Sequence, residues 1–128
     1  MALTYLFDTN IFLYYLTGDA RVRKLFSEPF LSENEVITSA IVRIELLSFF
    51  PLSHAEESAI RGMLEQFRVI PLTYDIEELA IEIRRKHRVR IPDAIIAATA
   101  YSTSSVLVTH NIKDFKRITG IRLYDPLA

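Results

Sequence analysis

The chain has 128 residues, half of them hydrophobic, and its 15 Lys and Arg against 16 Asp and Glu give a formal net charge of −1. These values favour one globular domain over residues 1–128, while the lack of cysteine excludes disulfide scaffolds and Cys-ligated zinc, and three scattered glycines exclude a P-loop or a dinucleotide fingerprint. No apolar run approaches the ~20 residues that span a bilayer, and the N-terminus lacks the basic start of a signal peptide, so we expect a cytoplasmic protein with no membrane contact.

Short apolar runs alternate with helical patterns along the chain. Capping-box patterns indicate helix starts at Ser53 and Asp75, and Pro51 ends the helix before the first of these. In chain order, the predicted elements are a strand over Leu3–Phe7, helices over Ile11–Leu16 and Asp19–Phe26, a strand over Glu35–Thr38, helices over Ala40–Phe50 and from Ser53 to Phe67, a strand over Arg68–Leu72, helices from Asp75 to His87 and from Pro92 onward, a strand over Val106–Val108, a helix over Ile112–Ile118 and a strand over Ile121–Tyr124. Strands separated by helices predict an α/β fold with a parallel sheet covered on both faces, whose ligands bind at the carboxyl ends of the strands.

Four acidic residues stand out from those on polar helix faces. Asp8 and Asp114 follow strands, Asp93 begins a helix, and Glu45 lies in a helix that is apolar nearly all round. Taken singly, Asp8 and Asp93 are also typical helix caps, Asp114 is an ordinary first-turn residue, and Glu45 suits an ion pair with an arginine. Together, all four are predicted to converge at one end of a parallel sheet.

A converged carboxylate cluster needs cations or protons. Two carboxylates ~6 Å apart repel by about 3 kcal/mol at an effective dielectric constant of 20. Oxygen ligands without cysteine or paired histidine favour Mg²⁺ or Mn²⁺ over zinc. Such ions lower the pKa of a bound water and offset charge on a phosphate, which fits phosphodiester hydrolysis without a protein nucleophile.

The acidic motifs resemble those of PIN-domain ribonucleases, especially the toxin subunits of VapBC-type toxin–antitoxin pairs. The similarity covers essentially the whole chain and runs through FDTNIFLYYL with Asp8, IVRIELLS with Glu45, IPDAIIAATA with Asp93 and THNIKDF with Asp114. The resemblance implies a three-layer α/β/α fold and an Mg²⁺- or Mn²⁺-dependent endoribonuclease that uses these four residues as catalytic metal ligands. It further implies a homodimer and a small cognate antitoxin that covers the active site.

Polar neighbours of the acidic residues match supporting positions of the family. The resemblance assigns Thr9, Asn10 and Thr109 to orienting the carboxylates. Many relatives carry Asp where this chain has Asn111, which weakens a second metal site, although the Asn111 amide is able to ligate a metal or hold a water. A weakened, non-catalytic RNA- or partner-binding module is therefore the alternative. A phosphotransferase of the haloacid dehalogenase type is disfavoured, because that chemistry needs Asp where this chain has Asn10.

The near-zero net charge hides an uneven distribution. Residues 84–117 hold eight basic and two acidic residues, a net charge of +6, against −7 for residues 1–83. The helix dipole explains part of the run RRKHRVR, but not the second basic group around Asp114. Phosphate binding beside the metal site explains both groups. The expected RNA-binding residues are Arg84, Arg85, Lys86, Arg88, Arg90, Lys113 and Lys116.

The sequence alone does not decide the roles of three further groups of residues. His110 is either a phosphate-orienting residue or an ordinary surface histidine. One aromatic set is more typical of a core or a dimer interface than of base stacking: Phe7, Phe12, Tyr14 and Tyr15. One apolar set fits either a groove for an antitoxin helix or the core: Leu46, Phe49, Phe50 and Leu52.

Overall fold

The computed structural model describes residues 3–49 and 51–128 and contains one five-stranded sheet. Its strands, in chain order, are β1 (Thr4–Phe7), β2 (Glu35–Ser39), β3 (Arg68–Ile70), β4 (Val106–Val108) and β5 (Arg122–Tyr124). The spatial order is β3-β2-β1-β4-β5, and every neighbouring pair is parallel. In the centre, Leu6 of β1 is in register with Ile37 of β2 and Leu107 of β4.

Helices connect the strands and cover both faces of the sheet. They are α1 (Thr9–Leu16), α2 (Ala20–Arg23) continued by a 3-10 turn (Lys24–Phe26), α3 (Glu28–Glu33), α4 (Ala40–Leu47), α5 (His54–Leu64), α6 (Tyr74–Lys86), α7 (Ile91–Ser102) and α8 (Ile112–Phe115). Successive residues of a strand point to opposite faces. Leu6 and Phe7 are both fully buried, so both faces of β1 are covered. The predicted α/β fold with three α/β/α layers is therefore confirmed. None of the helices in the described part of the chain is long and apolar enough to cross a membrane.

Some local predictions were wrong. Helix α3 was not predicted at all; the Ser27 side chain caps it and Pro29 lies in its first turn. Helix α6 begins one residue before Asp75, because Thr73 is its N-cap and accepts a hydrogen bond from the Ile76 backbone N–H. Helix α4 ends at Leu47, so it is shorter than expected, and Phe50 lies outside the described residues.

An aromatic cluster fills the space between β1 and the helices that follow it. The rings of Phe7, Phe12, Phe26 and Phe67 contact one another with centroids 5.3–5.9 Å apart, mostly edge to face. Phe7 and Phe12 are fully buried, so they belong to the core, one of the two locations that the sequence leaves open for them. This cluster holds the start of α1 against the end of β1, where Asp8 lies.

The strand order places the switch point of the sheet at the carboxyl ends of β1 and β4, a position called the β1–β4 crevice below. The chain proceeds from β1 outward through β2 to β3, and then crosses to the other side of β1 to form β4. The change of direction lies between β1 and β4, the position at which parallel α/β sheets typically bind ligands. Asp8 directly follows β1 and Thr109 directly follows β4, so both lie at this point.

Candidate active site

Asp8 is the most enclosed carboxylate of the site. Its side chain is the N-cap of α1, and Oδ1 accepts a hydrogen bond from the Thr9 backbone N–H at 2.8 Å. Only 5% of the residue is exposed. Burial raises the pKa of Asp8 to about 6; the hydrogen bonds from Thr109 and Thr9 oppose this rise, and the charges of Asp93 and Glu45 add to it. The cap predicted from sequence is present, but it leaves Oδ2 directed at other partners.

Thr109 and Asn10 hold the second oxygen of Asp8. The Thr109 hydroxyl donates to Asp8 Oδ2 at 2.8 Å, and the Asn10 amide lies 3.4 Å from the same oxygen. The hydroxyl in turn accepts hydrogen bonds from Asn10 Nδ2 at 3.3 Å and from the Asn111 backbone N–H at 3.0 Å. Thr109 is fully buried. One carboxylate is therefore oriented by both sides of the β1–β4 crevice.

Glu45 reaches the site from α4. It is half-buried, as the apolar surroundings in its helix predict, and its Oε1 accepts a hydrogen bond from the Thr9 hydroxyl at 2.6 Å. The expected alternative, an ion pair with an arginine, is not formed by Glu45 in the described part of the chain. Thr9 therefore links the α4 carboxylate to the N-terminus of α1, next to Asp8.

Asp93 enters from the first turn of α7. Its side chain is 11% exposed, and the Arg90 Nε donates to Oδ2 at 3.4 Å. Burial raises the pKa of Asp93; Arg90 opposes the rise, and the charges of Asp114 and Glu45 add to it. Since Asp93 also raises the pKa of Asp8, the three elements β1, α4 and α7 bring their carboxylates within electrostatic range of one another.

Asp114 and Asn111 flank this cluster on the loop and short helix after β4. Asp114 is half-buried in α8 and close enough to Asp93 to raise its pKa. Asn111 is exposed at the N-cap of α8, and its side chain makes no capping hydrogen bond. Asn111 therefore presents a neutral amide to solvent beside the acidic residues.

The carboxylate oxygens of the site suit a hard divalent cation that keeps part of its water shell. Across residues 3–49 and 51–128, the Asp, Glu and His side chains form no group of three or more close enough to hold a metal ion. The charges of Asp93 and Glu45 nevertheless raise the pKa of Asp8, and those of Asp114 and Glu45 raise the pKa of Asp93, so these carboxylates lie within electrostatic range of one another. Mg²⁺ is typically bound by one or two carboxylates and several waters, so a closed shell of protein ligands is not required. A cation would also relieve the repulsion between Asp8 and Asp93.

Comparison with known proteins identifies the family. The model of the PIN domain matches residues 5–121, which include all four acidic residues and the whole β1–β4 crevice. The chain belongs to the PIN-domain family. Among curated relatives of this PIN domain, Ribonuclease VapC2 of Rickettsia felis is 30% identical and the alignment covers 93% of this chain and 95% of the relative. The tRNA(fMet)-specific endonuclease VapC of Salmonella typhimurium is 29% identical over 96% of this chain and 98% of its own.

A solved structure gives the same picture. VapBC2 from Rickettsia felis, bound to a DNA fragment from its promoter, contains a chain that superposes with a TM-score of 0.86. That chain is 25% identical, and the match covers 96% of the present chain and 98% of the other. The PIN domain therefore keeps its fold over almost its whole length.

The basic residues of this PIN domain are exposed and differ in their local partners. Arg90 lies against Asp93, and Lys113 is an exposed neighbour of Asp114 in α8. The Arg84 Nε donates instead to the Val89 carbonyl at 3.1 Å, which ties the end of α6 to the loop before α7. Lys86 pairs with Glu82 at 3.7 Å on the outer surface of α6. Arg85, Arg88 and Lys116 are exposed.

The structure gives the positions of the apolar and aromatic residues whose roles the sequence does not decide. Leu46 is fully buried in the core, Leu52 is half-buried, and Phe49 is 44% exposed. Tyr15 is 38% exposed and its ring stacks on Phe26 at 3.9 Å, so it extends the aromatic core. Tyr14 packs its ring against the imidazole of His110.

Two contacts of the PIN domain were not anticipated from sequence. The Thr38 hydroxyl donates to the Phe7 carbonyl at 2.9 Å and fixes the end of β1 from the β2 side. His110 Nδ1 lies 3.2 Å from an Asp125 oxygen, in the segment after β5. No local pattern marks either contact, because each joins residues of separate strands or of segments that the fold brings together.

Proposed function

We propose that this PIN domain is a metal-dependent endoribonuclease and acts as the toxin of a toxin–antitoxin pair. The observation that carries the proposal is the placement of Asp8 and Asp93, two carboxylates with raised pKa, in the crevice beside the carboxyl end of β1. Relatives over nearly the full length bear the names of ribonucleases. RNA is thus the proposed substrate. The proposed location of the toxin is the cytoplasm, where it meets RNA.

Asp8, Glu45, Asp93 and Asp114 are the proposed holders of the ion, which is Mg²⁺ or Mn²⁺. When bound, such an ion supplies positive charge to the attacked phosphate and favours ionisation of the attacking water. Thr109 and Asn10 fix the orientation of Asp8 Oδ2, and Thr9 does the same for Glu45. Asn111 is proposed to hold a water at the rim.

Basic residues next to the cluster bind the RNA backbone. Arg90 and Lys113 are best placed, since each is exposed and stands beside a proposed ligand. Arg85, Arg88 and Lys116 extend this contact to neighbouring phosphates. Arg84 and Lys86 contribute less because they are paired away from the proposed metal ligands, Arg84 with the Val89 carbonyl and Lys86 with Glu82. Phosphate contacts of this kind give affinity without base specificity.

The proposed partners are a small antitoxin and a second copy of the chain. Solved complexes of similar chains are named as toxin–antitoxin assemblies, including one from Klebsiella pneumoniae at 29% identity over 95% of this chain and 97% of the other, with a TM-score of 0.79. The exposed Phe49 on the α4 side is an available apolar contact for the antitoxin. Light scattering of the purified protein checks the homodimer.

Cleavage of RNA by charge-neutral variants tests the catalytic proposal. We expect Asp8→Asn and Asp93→Asn to abolish Mn²⁺-dependent cleavage of end-labelled RNA while the proteins remain folded by circular dichroism. Asp75→Asn is the matched control, because it makes the same change at an exposed position in α6. Undiminished cleavage by both site variants contradicts the proposal.

The alternative function is a weakened module that binds RNA or a partner without cutting. It is favoured by the neutral, exposed Asn111 at the acidic rim. Thermal unfolding with increasing Mn²⁺ separates the two functions, because a nuclease site must be stabilised by millimolar metal and a lost site is not.

A further inference from the structure

His110 packs between helix α1 and the C-terminal segment. Its backbone N–H donates to Asn10 Oδ1 at 3.1 Å, and its imidazole meets the Tyr14 ring edge to face with centroids 5.8 Å apart. Asn10 and Tyr14 are four residues apart in α1 and therefore lie on one face of that helix. On the other side, His110 Nδ1 lies 3.2 and 3.3 Å from the two oxygens of Asp125.

The Asp125 carboxylate fixes the orientation of the imidazole. A carboxylate only accepts hydrogen bonds, so Nδ1 must carry the proton that it shares with Asp125. Asp125 is itself held, since its Oδ1 accepts the Leu127 backbone N–H at 2.9 Å and its side chain is 13% exposed. The charged partner of His110 is thus a nearly enclosed, preoriented group.

The same loop is anchored to the neighbouring strand. The Thr109 backbone N–H donates to the Tyr124 carbonyl at 3.0 Å, which extends the pairing of β4 and β5 by one residue. The His110–Asp125 pair comes directly after this hydrogen bond on both segments. Two successive contacts therefore clamp the loop after β4 to the segment after β5.

The clamp connects to the proposed catalytic carboxylate through Asn10. The Asn10 Oδ1 is occupied by the His110 N–H, and this leaves Nδ2 directed at Asp8 Oδ2 and at the Thr109 hydroxyl. If the loop moved, the Asn10 amide would lose the partner that sets its orientation. Thr109, which donates to Asp8, would move with it.

We propose that His110 and Asp125 are positioning residues, which hold Asn10 and Thr109 so that the Asp8 carboxylate keeps the orientation needed to bind a divalent cation. The inference rests on the proposed function and adds to it two residues outside the acidic cluster. His110 in this role does not touch the RNA phosphate. Groups that orient a metal ligand typically change metal affinity or activity by about 10–100-fold when removed.

The test compares His110→Ala with two further variants. His110→Asn keeps a side-chain N–H able to reach Asp125, so it should restore most of the loss. His54→Ala is the matched control, because it removes an exposed histidine at the start of α5, away from the site. Urea unfolding of each protein checks that it is folded.

Mn²⁺ affinity without RNA is the first measurement. We expect His110→Ala to weaken Mn²⁺ binding by about tenfold, with recovery in His110→Asn and no change in His54→Ala. Exchange of the Asn10 side-chain amide protons, followed by NMR, should become faster only in His110→Ala. Wild-type Mn²⁺ affinity and unchanged Asn10 exchange in His110→Ala overturn the inference. So does failure of the wild-type protein to bind Mn²⁺.

RNA cleavage separates this inference from the proposed function. We expect His110→Ala to lower kcat by about tenfold with KM nearly unchanged, since the residue acts on the metal site and not on RNA binding. A raised KM with unchanged kcat overturns the positioning role and assigns His110 to the phosphate instead. Wild-type protein that binds Mn²⁺ but cuts no RNA contradicts the proposed function, while the Mn²⁺ affinities still decide the role of His110.

Discussion

The Asp8→Asn variant should be more stable than the wild-type protein at neutral pH when no metal is present. In the folded protein, burial raises the pKa of Asp8 from 3.8 to about 6. At pH 7.5 the ionised carboxylate therefore destabilises the fold by about 3 kcal/mol relative to an unburied one. The amide removes this charge, but its Nδ2 faces two donors, the Thr109 hydroxyl and the Asn10 amide, and the hydrogen bonds lost there are together worth about 1–2 kcal/mol. The net gain is about 1–2 kcal/mol.

The pH dependence of this gain has a definite sign. Between pH 4 and 6 the folded state keeps a proton on Asp8 that the unfolded state has released. The Asp8 contribution to the free energy of unfolding is therefore present below pH 4 and is lost as the pH rises through about 6. The variant does not lose this contribution. Its free energy of unfolding should therefore exceed that of the wild-type protein by an increasing amount as the pH rises from 4 to about 6.

Thermal and urea unfolding in chelator, at several values between pH 4 and 7.5, measure the effect. A gain of 1–2 kcal/mol corresponds to a Tm about 4–8 °C higher for a chain of this size. Added Mn²⁺ should stabilise the wild-type protein and leave the variant unchanged. A variant that is less stable than wild type at pH 7.5 in chelator, or that shows the same pH slope, refutes the reasoning from burial and charge.

The remaining predictions concern the hydroxyl, the core and the RNA surface. Thr109→Val should destabilise the protein by about 1–3 kcal/mol in urea unfolding, because it leaves buried polar atoms without their partner, whereas Thr109→Ser should be close to wild type. Phe7→Ala should cost about 3–5 kcal/mol by the same measurement and Ile44→Ala far less, since Phe7 is fully buried and Ile44 is 56% exposed. Arg90→Gln should weaken RNA binding and reduce the slope of log affinity against log salt by about 0.7, with Arg61→Gln unchanged; equal slopes for the two would exclude Arg90 from phosphate contact.

The layered architecture was predictable because the apolar patterns are local and strong. The strand ending at Phe7, the helix around Glu45 and the helix opened by Pro92 each contain their own signal, and the parallel order follows from the helices between the strands. The inward direction of Glu45 was also predictable, since its helix is apolar on nearly all sides. Its partner, the Thr9 hydroxyl 36 residues earlier, was not.

Short or ambiguous signals account for the missed elements. Helix α3 has six residues, none of them fully buried, so it leaves no periodic apolar stripe in the sequence. At the start of α6, Thr73 and Asp75 are both good caps two residues apart, and the packing of Ile76, which is nearly fully buried, distinguishes between them only in the folded protein.

The supporting contacts of the site depend on the fold itself. His110 and Asp125 are 15 residues apart in sequence, and Asn10 reaches the His110 backbone across 100 residues. The sequence predicts phosphate binding for the whole basic run before α7 without indicating partners, whereas in the structure Arg84 turns back to a backbone carbonyl and Arg90 turns to Asp93. Composition and spacing give the charges, and only packing decides which of them face the crevice.

Linearisation of a circular RNA tests the central claim most directly, because only an internal cut opens a circle. We predict that the purified wild-type protein linearises the circle in Mn²⁺ or Mg²⁺ and not in excess chelator, and that Asp93→Asn is inactive in both. Metal-independent linearisation, or equal linearisation by Asp93→Asn, would contradict the account of a metal-dependent endoribonuclease centred on Asp8 and Asp93.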